Sequence, residues 1–225
     1  MRSSQEGSTE ATLDTGTFSD AMEATNMAAT RKVERTRTTG ETDIRLTLDL
    51  DGDGRSEAST GVGFFDHMLD AFARHGLFDL AVVVKGDLHV DAHHTVEDTG
   101  LVLGAAVREA VGDKASIRRF GSAIVPMDEA LVQAVIDLSG RPFLAFRGFD
   151  FRVDAVGAFD TCLTEEFFRA FSNEAACNLH LRCLEGGNAH HVIEAAFKAT
   201  ARALREAVSI DPRIKGVLST KGTLA

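Results

Sequence analysis

At 225 residues, 44% apolar and 26% charged, the chain is long enough to bury a core of its own. Its 24 Lys and Arg face 34 Asp and Glu, a formal charge of -10 with no continuous basic stripe. That excludes a nucleic-acid-binding surface and leaves any anionic ligand to a few placed cations.

Residues 1–32 are expected to form a disordered tail, because the first thirty are rich in Ser, Thr, Ala and acids and poor in large apolar residues. They lack the basic-then-apolar layout of a secretory signal, and no apolar run approaches the ~20 residues that span a bilayer. A cytoplasmic protein with no membrane partner is the expectation. "ETDIRLTLDLDGDG" alternates Ile44, Leu46, Leu48 and Leu50 with polar neighbours and ends in Asp-Gly punctuation, a half-buried strand and turn. The later acids of a calcium loop are missing from that turn. "GFFDHMLDAFARHG" has helical apolar spacing and a glycine stop, "LAVVVKG" reads as a strand, and "HHTVEDTGLVLGAAVREAVG" as a long helix closed by Gly112. The succession returns as the strand and turn "EALVQAVIDLSG", the helix "EEFFRAFSNEAA", the strand "NLHLRCL" and the helix "AHHVIEAAFKATARALREAV". His180, in the third of these, reads as a core histidine, while His89 reads as a surface residue. Cys162, Cys177 and Cys183 are odd in number and lack C-x-x-C spacing, so they read as buried or half-buried thiols rather than a disulfide framework or zinc site.

The return is an internal repeat. Superposing His93-His94 on His190-His191 carries Arg108-Glu109-Ala110-Val111 onto Arg205-Glu206-Ala207-Val208, and "LDLDG" at 48–52 matches "IDLSG" at 136–140. An α+β domain over residues 33–225 is expected, made of two copies of a strand-helix-strand-helix unit at about 33–122 and 123–225.

Each copy offers four metal ligands: His67, His93, His94 and Glu97 in the first, Glu166, His190, His191 and Glu194 in the second. On a helix, consecutive residues are turned about 100° apart while i and i+4 share a face. His93 and Glu97 therefore point together and His94 is splayed away, which favours two ions over one. Imidazole and carboxylate without thiolate suit manganese, iron or zinc, and a mixed six-coordinate shell favours Mn2+.

"GVGFFDHMLDAFARHGLFDL", "DAHHTVEDTGLVLG", "IDLSGRPFL", "AHHVIEAAFKATARALR" and "STKG" closely resemble imidazoleglycerol-phosphate dehydratases of histidine biosynthesis, over about residues 35–224. The resemblance implies helices packed between two sheets, a homo-oligomer of 24 subunits with sites between protomers, and two Mn2+ per site, other divalent metals also serving. It implies a monofunctional hydro-lyase that converts imidazole glycerol phosphate to imidazole acetol phosphate through an imidazolate held by two metals and a diazafulvene-like intermediate. By the same resemblance Glu41, Glu97 and Glu194 are catalytic, with Glu41 the acid-base group in contact with substrate. His67, His75, His93, Glu97 and His190 also contact substrate, and Arg119, Arg141, Lys198, Ser219, Thr220 and Lys221 hold it by its phosphate end. Glu166 stands where many relatives carry histidine, and Ala71 where many carry a polar residue. From the residues alone, a dinuclear phosphohydrolase or a metal that only cements an assembly would use the same ligands.

Overall fold

The structure, a computed structural model, describes Met1 and residues 31–224. The expected tail lies outside the described residues except for its ends. Arg31 and Lys32 already belong to the folded body, where Leu50 N–H donates to the Arg31 carbonyl at 3.1 Å.

The first copy runs β1 (Lys32–Thr38), β2 (Thr42–Asp49), β3 (Ser56–Ser59), α1 (Gly63–Gly76), β4 (Asp79–Gly86) and α2 (His93–Ala110). The second runs β5 (Phe120–Met127), β6 (Ala130–Asp137), β7 (Phe143–Arg147), the short pair β8 (Ala155–Val156) and β9 (Phe159–Asp160), α3 (Leu163–Glu174), β10 (Asn178–Glu185) and α4 (Ala189–Val208). The sheets have orders β1-β2-β4-β3 and β5-β6-β10-β7, so the duplication read from the sequence is repeated strand for strand. In both, the third strand in chain order runs parallel to the fourth and the other pairs are antiparallel.

Alternation orients each sheet. Ile44, Leu46 and Leu48 of β2 and Val132, Ala134 and Ile136 of β6 point inward, and each is no more than 1% exposed. The helices cover these inner faces, α2 against β2 and α4 against β5 and β6, and they pack on each other as α1 with α4 and α2 with α3. The layers are sheet, helices, sheet, sharing one apolar core. With no Trp and no Tyr in the chain, its aromatic filling is Phe alone, which brings no polar atom to satisfy. Phe167 and Phe197 stack at 4.9 Å and Phe65 meets Phe167 edge-on at 5.5 Å, tying α1, α3 and α4 together.

Two expectations are corrected. With Leu179 and Leu181 fully buried, the pleat turns His180 outward, where it is exposed and sits 5.5 Å from the Phe143 ring. Cys162 is likewise exposed; Cys177 is buried, and desolvation pushes its thiol up to about 12.

Candidate functional site

Both His-His pairs open a helix, and the same device starts each. Asp91 accepts from the His93 N–H at 2.8 Å, and Asn188, at the corresponding position, accepts from the His190 N–H at 2.9 Å. Each satisfies a donor that the first helical turn leaves without a partner. The neighbouring rings then diverge: His93 and His94 are 6.0 Å apart at 87°, His190 and His191 6.1 Å apart at 79°.

The first member of each pair turns to the glutamate one turn on. His190 Nε2 lies 3.1 Å from Glu194 Oε2, and His93 Nε2 lies 3.4 Å from Glu97 Oε2. Because α1 packs on α4, His67 joins the second pair, its Nε2 3.2 Å from the same Glu194 oxygen, while Phe64 meets the His190 ring edge-on at 4.9 Å. Burial pushes the Glu194 carboxyl up, but the Lys198 ammonium, 2.6 Å from Oε1, and His67 outweigh it and hold the group below its usual range. His67, His190 and Glu194 thus offer two imidazole nitrogens and one carboxylate oxygen within 4.8 Å of one another. Two ligand atoms at right angles about 2.1 Å from one ion stand about 3 Å apart, so this donor set fits a divalent cation such as manganese, iron or zinc.

The second member of each pair turns elsewhere. His191 Nδ1 donates to Glu129 at 2.9 Å, and Asp128 completes a three-donor group around that ring. His94 Nδ1 donates to Asp87 at 3.0 Å, and Glu41 stands 3.6 Å from its Nε2. The β1–β2 hairpin that carries Glu41 is fixed to α2 by buried Asp98, which accepts from Thr42 Oγ1 and, at 2.9 Å, from Arg37 Nη1. His75 lies half-buried near the end of α1, where burial and the Lys198 and Arg202 charges hold its imidazole below the ordinary value.

Not every expected ligand is drawn in. Glu166 lies 3.7 Å from Arg169 Nε, and among the described residues no histidine comes within ion-pair distance of it. Among the described residues, the His93–Glu97 pair therefore meets no third ligand, unlike its counterpart on α4. Conversely, Asp87, Asp128 and Glu129 escaped the sequence reading. Glu129 had a signal: the shift that lays "LDLDG" on "IDLSG" also lays Glu41 on it.

The cations gather elsewhere. Arg119, Arg141, Ser219, Thr220 and Lys221 line a cavity of about 650 Å³, joined by Arg213 and Lys215. Asp137 accepts from Arg119 Nε and Nη2 at 2.7 and 3.1 Å, and the Leu218 carbonyl accepts from Nη1 at 2.8 Å, so the guanidinium plane is fixed. Lys198 lines no part of it, being engaged with Glu194.

A sequence profile described as imidazoleglycerol-phosphate dehydratase matches residues 60–204. The chain is 59% identical over 194 residues to the imidazoleglycerol-phosphate dehydratase of Acetivibrio thermocellus, covering 86% of this chain and 99% of the relative. It is 60% identical over 194 residues to that of Shouchella clausii, with the same coverages. The crystal structure of the Staphylococcus aureus dehydratase superimposes with a TM-score of 0.73 at 39% identity, over 80% of this chain and 99% of that one. The Pyrococcus furiosus enzyme, crystallised with (S)-C348, gives 0.73 and 39% over 84% and 100%. Profile, sequence and fold agree: the chain belongs to the imidazoleglycerol-phosphate dehydratase family, and so to the hydro-lyases.

Proposed function

We propose that this protein dehydrates imidazole glycerol phosphate to imidazole acetol phosphate in the cytoplasm, with two Mn2+ per active site and with sites assembled between copies in a large symmetric homo-oligomer. The convergence of His67, His190 and Glu194 carries the metal part of this reading. His93, His94, Glu97, His191 and Glu166 supply the remaining ligands once copies meet. Bound divalent cations supply positive charge beside the imidazole ring and stabilise its electron-rich form.

Ring electrons then expel the side-chain hydroxyl through a diazafulvene-like species, a carbon-bound proton leaves, and the resulting enol becomes the ketone. Glu41, exposed and beside His94 Nε2, is the group free to move protons at the side-chain carbons. Glu97 and Glu194 would bind metal beside His93 and His190, and His75, its imidazole held below the ordinary value by burial and the Lys198 and Arg202 charges, contacts substrate. Arg119, Arg141, Ser219, Thr220 and Lys221 bind the phosphate, Arg119 already oriented by Asp137.

The length of the helices supports sites between copies. The cation cavity lies where Arg119 N–H donates to the Ala207 carbonyl near the end of α4, and from His190 the helix advances about 25 Å to reach it. A three-carbon side chain between ring and phosphate spans a fraction of that distance. Protein stripped of metal, reloaded with Mn2+ and given imidazole glycerol phosphate should form a ketone with phosphate retained. Release of inorganic phosphate instead would favour a phosphohydrolase, and absence of the ketone at saturating metal would refute the proposal.

A further inference from the structure

In each copy of the repeat, the second histidine of the pair is held through Nδ1 by a carboxylate that belongs to no expected ligand set. We propose that Asp87 and Glu129 are positioning residues that lock His94 and His191 as the Nδ1–H tautomer, so that Nε2 alone is presented to a metal.

The geometry is one-sided in both copies. Asp87 receives His94 Nδ1 on both oxygens, at 3.0 and 3.2 Å, and Glu129 receives His191 Nδ1 at 2.9 Å. An ionised carboxylate only accepts, so Nδ1 carries a proton, and in the neutral ring the lone pair that remains is on Nε2. The acids beside the two Nε2 atoms are loosely placed: Glu41 at 3.6 Å, 54% exposed, and Asp128 at 3.8 Å, 79% exposed. Glu129 is itself held, its other oxygen accepting the Asn188 N–H at 2.6 Å. Gly187 makes room for it, since a Cβ there would stand 2.3 Å from Glu129 Oε1.

The two carboxylates reach the same function from different places. Glu129 immediately precedes β6, as Glu41 immediately precedes β2, so these two are counterparts in the repeat. In the second copy the hairpin glutamate is spent on Nδ1. In the first, Asp87 at the end of β4 takes that task, which releases the hairpin glutamate, Glu41, toward the Nε2 side. The duplicated fold thereby acquires one free carboxylate from two equivalent positions.

This rests on His94 and His191 being metal ligands, and the test separates the two claims. Full-length wild type, Asp87→Ala and Glu129→Ala are titrated with Mn2+, free metal being read by electron paramagnetic resonance, and the metal-free proteins are examined by long-range proton–nitrogen NMR of labelled histidines. At a pH high enough for both rings to be neutral, wild type should show the Nδ1–H tautomer at His94 and His191. Asp87→Ala should lose it at His94 only and Glu129→Ala at His191 only, each binding Mn2+ roughly 10- to 100-fold more weakly. An Nε2–H tautomer in wild type, or unchanged Mn2+ affinity in both variants, would overturn the positioning role alone. Failure of wild type to bind Mn2+ would overturn the metal-ligand reading and this proposal with it. The tautomer in wild type decides the matter even if a variant fails to fold.

Discussion

Of the three carboxylates that meet the His93 and His94 rings, Glu41 is the least enclosed, its side chain 54% exposed against 17% for Asp87 and 42% for Glu97. A group that transfers protons needs that freedom, whereas one that fixes a ligand does not. Glu41→Gln should therefore lower ketone formation roughly 10²- to 10⁴-fold, the usual worth of a general acid or base. Bound manganese, measured on the same preparation, should stay at the wild-type level; metal lost together with turnover would make Glu41 a ligand instead. At this scale the sequence was legible where periodicity or repetition spoke. The i, i+4 rule joined His93 to Glu97 and His190 to Glu194, and the 100° splay separated each His-His pair, whose second members meet Asp87 and Glu129 instead. It was not legible where contacts cross elements, since nothing local to Asp87 or Glu129 says that a histidine from another element will reach it. His180 was misread because hydrophobic neighbours were weighed without the two-residue period that turns it outward.

Elements carry a second lesson, in which burial on one face decides what can be read. The helices α1 and α4 keep the bounds expected from their apolar stripes, Gly63–Gly76 and Ala189–Val208. Strands β1, β3, β5 and β7 went unread because they are the edges of their sheets; in β1 only Val33 is buried, so alternation has little to show. The close approach of α2 to α3 was invisible for another reason: it depends on side chains that are absent. Gly100 and Gly104 present bare backbone to α3, where an added Cβ would stand 2.7 Å from the Phe167 carbonyl oxygen and 2.4 Å from that of Phe171. Alanine is the better helix former by about 1 kcal/mol, yet overpacking a tight contact costs about 1–3 kcal/mol. Here the contact is with rigid backbone, so the steric effect wins. Gly104→Ala should lower the denaturation midpoint at fixed chain concentration, whereas Gly63→Ala, with open space around it at the start of α1, should leave it unchanged or raise it slightly. Equal midpoints for both would mean that α2 and α3 are not in such close contact.

For the whole molecule, the decisive fact is that the His-His pairs and the cation-lined cavity lie at opposite ends of the same helices. α2 and α4 both begin at a His-His pair, and the segments that follow their C-termini pair with one another beside the cavity, Ser116 N–H donating to the Gly216 carbonyl at 2.8 Å. Sequence alone named both groups of residues but gave no distance between them, because their separation is a property of how α2 and α4 span the fold. Mixed assemblies test the consequence directly. His190→Ala should be inactive for want of a metal ligand and Arg119→Ala for want of a phosphate contact, and each variant keeps what the other lacks. If a site draws metal ligands from one copy and cations from another, mixed assemblies purified from co-expression through two tags should regain up to about a quarter of wild-type ketone formation on random association. Mixed assemblies no more active than either variant alone would contradict a site shared between copies.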